Sequence, residues 1–172
     1  MIDTFEKVRI LKKEKDKTGY SGKYFLDICV STSVWEVNEP EEMYNDYPWL
    51  PKKYIEFIKE FNGWSVSFCR FYGSKKGIAI KLLEEITLHQ HLLKGAYFPF
   101  GCFADGSIFL FDKQGKVRWW DKYDYDFEEE PKLLAETFEE FVGECLLGKR
   151  YGEFSSTEGD SFFAFLQSQG WV

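Results

Sequence analysis

The sequence predicts an α+β fold, a single domain over residues 1–172 in which several helices pack on an antiparallel sheet with a central meander. Three observations predict it. Hydrophobic spacing switches along the chain between a period of two and the spacing of a helix face. Turn residues separate short Phe-rich runs between Tyr97 and Trp120. No Pro-rich, Gly/Ser-rich or low-complexity tract divides the chain, and no internal repeat is visible. With 18 Phe and 10 Tyr, the core is expected to be rich in rings.

The elements follow in order. A short helix is expected over Thr4 to Lys13, then a loop at Thr18-Gly19-Tyr20-Ser21-Gly22. From Tyr24, apolar Leu26, Ile28 and Val30 alternate with Asp27, Cys29 and Ser31, the pattern of a half-buried strand. Asn38-Glu39-Pro40-Glu41 reads as a helix start. The clearest helix runs from Leu50-Pro51-Lys52-Lys53-Tyr54 to Asn62-Gly63, with Tyr54, Ile55, Ile58 and Phe61 on one face. Trp64 to Tyr72 alternates again, placing Trp64, Val66 and Phe68 on one side, and Gly77 to Leu83 is a second apolar run after the hairpin loop Gly73–Gly77.

Asp105-Gly106 and Lys113-Gln114-Gly115 are turn residues at hairpin spacing, so Tyr97 to Trp120 reads as three antiparallel strands. Thr137-Phe138-Glu139-Glu140 is a capping box. Phe138, Phe141, Val142 and Cys145 follow at helical spacing, with Gly148 as the stop. A last short helix is expected from Asp160 to Gln169.

Charge narrows the function. The net charge of −7 opposes binding to nucleic acid, where cations displace counterions, and points to neutral or basic partners. No apolar run is long enough to span a bilayer, and the first residues lack a secretion signal, so a cytoplasmic protein is expected. Cys29, Cys69, Cys102 and Cys145 are 40, 33 and 43 residues apart, without metal-ligand or redox spacing, and read as buried thiols. His89 and His91 would share a face only on a strand; they read as solvent-facing residues more readily than as joint metal ligands. Nucleotide-binding loops and hydrolase elbows have no match, so neither an enzyme nor a cofactor or metal is expected.

The stretch Asp121 to Glu130 holds six carboxylates and one lysine, with Tyr123, Tyr125 and Phe127 alternating against Asp124, Asp126 and Glu128. A calcium loop beginning at Asp124 is excluded, because Glu129 and Ala135 stand where glycine and glutamate are required. Two readings remain: a solvated strand edge, or an acidic ridge that binds a basic protein through charge and aromatic anchors. Trp119, Trp120, Tyr123, Asp124, Tyr125, Asp126 and Glu128 are the candidate partner-binding residues. Neighbouring Trp119 and Trp120 should point to opposite faces of a strand, which brings one ring out of the core unless both faces are covered.

Three of these pieces, in this order, resemble the SUKH superfamily of bacterial toxin-immunity proteins and fungal regulators of cell-wall glucan synthesis. They are the helix Leu50–Gly63, Phe100-Gly101-Cys102-Phe103-Ala104-Asp105-Gly106 leading into Phe111-Asp112-Lys113-Gln114-Gly115-Lys116-Val117, and Thr137-Phe138-Glu139-Glu140-Phe141. They span about residues 50–147 and leave a strand and helix in residues 1–49 unmatched. The resemblance implies a non-enzymatic domain that neutralises a cognate polymorphic toxin by direct binding, or a housekeeping module that binds host proteins.

Overall fold

A computed structural model describes residues 2–18, 30–31, 47–61, 63–73, 95–121 and 130–172. Among the described residues seven strands are present: β1 (Val30–Ser31), β2 (Ser65–Val66), β3 (Cys69–Phe71), β4 (Tyr97–Phe103), β5 (Ile108–Asp112), β6 (Val117–Trp120) and β7 (Lys132–Ala135). Each pairs antiparallel with the next in sequence, giving one sheet in the order β1 to β7. The helices are α1 (Thr4–Thr18), α2 (Lys52–Glu60), α3 (Phe138–Glu140) and α4 (Ser161–Ser168). A π-helix over Phe141–Leu146 continues α3, and a 3-10 turn occupies Tyr151–Glu153. The α+β expectation holds.

The meander β4–β5–β6 forms where the turn residues place it. Asp105 accepts the Ser107 amide at 2.8 Å, and Gly115 adopts a φ of +78°, which the second turn requires. Between Pro99 and Gly101 the register shifts, inserting Phe100 as an extra residue. A Cβ at Gly101 would stand 2.7 Å from the Arg70 carbonyl oxygen on β3, so glycine is what lets β3 and β4 close.

Alternation on β5 divides the core. Phe109 and Phe111 join the large cluster beneath the helices, whereas Ile108 and Leu110 join Trp120 and Tyr97 in a small cluster on the far face. In the large cluster Phe100 lies within about 6 Å of six rings, those of Tyr54, Phe71, Phe109, Phe111, Phe138 and Phe141. The three sequence pieces far apart in the chain therefore meet at one aromatic centre. Each enclosed ring contributes about 1.5–3 kcal/mol by burial, with further gain from edge-to-face pairs.

Several elements depart from expectation. α1 reaches Thr18, not Lys13; Phe5, Val8 and Leu11 anchor its first half, while helix-favouring Lys and Glu and the Glu14–Lys17 pair carry it on. On α2 the buried face is Tyr54, Phe57, Ile58 and Phe61, and Ile55 is only half-buried. Trp64 to Tyr72 is not one strand but a tight hairpin, β2–β3, because Ser67 turns with a φ of +49°. Phe68 therefore sits at the turn, while Trp64 is fully buried and stacks on Phe71 at 5.5 Å. β7 was not foreseen. The strand before Val30, the helix start at Asn38–Glu41, the run Gly77–Leu83, Cys29, His89 and His91 lie outside the described residues.

Thr137 caps α3 as its motif predicts, its hydroxyl accepting the Glu140 amide at 3.1 Å, while the Glu140 carboxylate takes the Glu136 amide at 2.9 Å. Thr137→Ala should lower stability by about 1 kcal/mol in urea unfolding, and Thr137→Ser should restore it. Lys7 closes the other end of this segment. Its buried ammonium donates to the Gly143 and Leu147 carbonyls at 2.8 and 3.0 Å and lies 5.5 Å from the Trp171 ring. Burial lowers the Lys7 pKa, against the raising effect of Glu144.

At the C-terminal side, Asp160 caps α4 through the Phe162 amide at 2.8 Å, within the expected helix. The Tyr151 hydroxyl donates to the second Asp160 oxygen at 2.6 Å and meets the Ser67 hydroxyl at 2.7 Å. This contact ties the β2–β3 turn to α4.

Candidate functional site

Asp112 organises the end of the sheet next to the acidic stretch. It is 5% exposed, and its Oδ1 accepts the Gln114 and Lys116 amides at 2.9 and 3.0 Å, closing the β5–β6 turn. Oδ2 is left for the Arg118 guanidinium, whose Nε donates at 2.7 Å. Arg118 also donates to the Pro131 carbonyl at 3.0 Å and pairs with Glu130 at 2.8 Å. One guanidinium thus joins the hairpin turn to the point where the acidic stretch returns to the sheet.

Electrostatics favour this arrangement. Burial opposes the Arg118 charge, but its hydrogen bond to Asp112 and the Asp112 and Glu130 carboxylates outweigh it and raise the Arg118 pKa. Tyr97, opposite Asp112 in the register, has its phenol pushed up by burial and then by Glu130, with Arg118 acting against both. The ends of the stretch are neighbours, because Trp119 on β6 pairs with Lys132 on β7.

Trp119 and Trp120 take opposite faces, as the pleat requires. Trp120 lies on the far face opposite Ile108 and is only 8% exposed. Trp119 lies on the helix side and is half-buried, edge-on to Phe103 at 5.8 Å, with the Lys132 ammonium 5.8 Å from its ring. Its indole N–H is enclosed and meets no acceptor among the described residues. The partly exposed ring is therefore on the side of the helices, and the ring on the open side is covered. Tyr123, Asp124, Tyr125, Asp126 and Glu128 lie outside the described residues.

Asp112, Arg118, Leu133 and Arg150 escaped sequence reasoning as site residues. Leu133 on β7 is 42% exposed beside the returning stretch. Arg150 donates to the Leu134 carbonyl at 2.8 Å and is itself held by Glu153 and Glu140. Arg118 had a signal, a lone cation between Val117 and two tryptophans. Arg150 had none, since its partner is a backbone oxygen 16 residues away.

The described cysteines are packing groups. Cys69, Cys102 and Cys145 are buried, and none forms a disulfide among the described residues. Burial holds the Cys69 thiol well above its usual range and pushes Cys145 up to about 12, which keeps both protonated at neutral pH. No helix among the described residues is long and apolar enough to cross a membrane.

Compared with known families, the chain matches the model described as SMI1 / KNR4 family (SUKH-1) over residues 47–144, more than half its length. The matched part runs from the approach to α2 through β7 into the π-helix, and it includes the whole acidic stretch. No curated protein matches the chain.

Proposed function

The chain belongs to the SMI1 / KNR4 family (SUKH-1), and from that membership we propose that it is a non-enzymatic protein-binding domain that neutralises a cognate toxin by direct contact. The family match carries this reading, and the acidic stretch within the matched residues supports it. The stretch is flanked by the paired strands β6 and β7, and Arg118 holds its end through Glu130 and the Pro131 carbonyl. Opposite charge would speed encounter with a basic toxin domain, and aromatic residues would supply the desolvated anchors. The protein would act in the cytoplasm, consistent with its buried thiols.

The triple substitution Asp124→Lys, Asp126→Lys and Glu128→Lys tests the reading. It should weaken capture of a cognate basic toxin domain by more than about tenfold and abolish protection of toxin-expressing cells. Unchanged capture and protection would remove the acidic stretch from the contact surface. Recovery of a host protein in place of any toxin would move the chain to the regulatory branch of the family.

A further inference from the structure

A second surface, opposite in charge, lies between α1 and the end of α2. Although the whole chain carries a net charge of −7, α1 holds six basic and three acidic side chains. Its second half is built for something other than the core: Leu11 is the last buried residue, and Lys12 to Lys17 project a further turn and a half with no buried position. Along this projection runs an open groove of about 440 Å³, lined by Arg9, Lys12, Lys13 and Lys17 against Asp16 and Glu60, with the edge of the largely buried Phe61 beside them.

Part of α1 neutralises its cations locally. Arg9 pairs with Glu60 through two 2.8 Å hydrogen bonds and with Glu6 at 3.5 Å, and Lys17 pairs with Glu14 at 3.7 Å. Lys12, Lys13 and Lys15 have no carboxylate partner among the described residues. The cations are spread over about 12 Å of helix axis from Arg9 to Lys17, at 1.5 Å per residue. They are strung along the helix, and among the described residues no buried donor lines the groove, so a single phosphate would find no cradle there. Distributed cations beside an apolar edge suit carboxylates spaced along a chain with apolar residues between them.

We propose that the α1–α2 groove docks an acidic, partly apolar segment of a partner protein, held by Lys12 and Lys13 beside Phe61. None of these residues belongs to the acidic stretch, and α1 lies outside the family match, so the proposal stands whether or not the toxin reading does.

Titration of the full chain with a short fluorescent peptide alternating Glu and Leu tests it, using anisotropy for affinity and amide chemical shifts for location. The peptide should bind with shifts confined to α1 and the end of α2, and affinity should fall steeply with added salt. Lys12→Glu with Lys13→Glu should weaken it about tenfold or more, since two favourable charge contacts become repulsive. Lys13 is exposed and Lys12 half-buried without an ion-pair partner among the described residues, so the variant should melt close to the parent; Lys12→Gln with Lys13→Gln, which only removes charge, should fall between in affinity. The proposal is overturned if the charge-reversed chain binds as well as the parent. It is equally overturned if a Gln–Leu peptide binds as tightly, or if inorganic phosphate or a short DNA duplex shifts the same amides while the acidic peptide does not.

Discussion

Phe100→Ala is expected to lower the unfolding free energy by about 4 kcal/mol, among the largest effects available to one substitution in this chain. Phe100 is fully buried, and the β-bulge aims it into the space between the sheet and two helices. Its ring is 4.2 Å from Phe111 and stands at steep angles to Phe138 and Phe141. Truncation removes ring contacts from β5, α2 and α3 together, and none of these can move in without giving up its own packing. For a domain of this size the midpoint of thermal unfolding should drop by roughly 8–16 °C. Phe100→Leu should recover part of the loss. A drop below about 1 kcal/mol in urea unfolding would mean that the bulged strand repacks freely, and that the three sequence motifs do not share one centre.

Asp112→Ala should cost about 3 kcal/mol, for a different reason. It strips two amides and a guanidinium of one acceptor group, and Arg118 has a side-chain exposure of only 15%. Glu130 remains near Arg118, but its carboxylate is 69% exposed and is a weaker counter-charge. Asp112→Asn separates the two parts of the loss, since its amide oxygen can still close the turn while its NH2 group faces Arg118. A double-mutant cycle with Arg118→Met should show coupling of about 1–3 kcal/mol, with the double variant more stable than the sum of the singles predicts. Additive losses would show that the turn, not the ion pair, is what Asp112 supplies. Arg118→Met alone should also loosen the return of the acidic stretch, seen as faster amide exchange at Lys132 and Leu133.

Much of the fold was legible because its signals are local. Capping residues and turn glycines can be read from neighbours in sequence, and Thr137 and Gly115 took the expected roles. What escaped depends on distant partners or on unmarked backbone. Ser67 turns the chain at a positive φ without the glycine that would announce it. The choice of Phe57 over Ile55 depends on where α2 meets the sheet, which periodicity alone does not fix. β7 carries an adjacent Leu133-Leu134 pair instead of alternation, so its strand character comes from pairing with β6. At the candidate site, composition located the acidic stretch and the pleat separated the two tryptophans. The Asp112–Arg118 link needed the register of β5 against β6, which turn residues suggest but do not specify.

Among the described residues the sheet ends at β7, and Arg150 occupies one of the carbonyls there while three oxygens of Glu140 and Glu153 hold it in place. A second chain seeking to extend the sheet would first have to pull that guanidinium away from its own carboxylates. Strand addition at β7 therefore begins uphill, although Leu133 on the same strand is exposed.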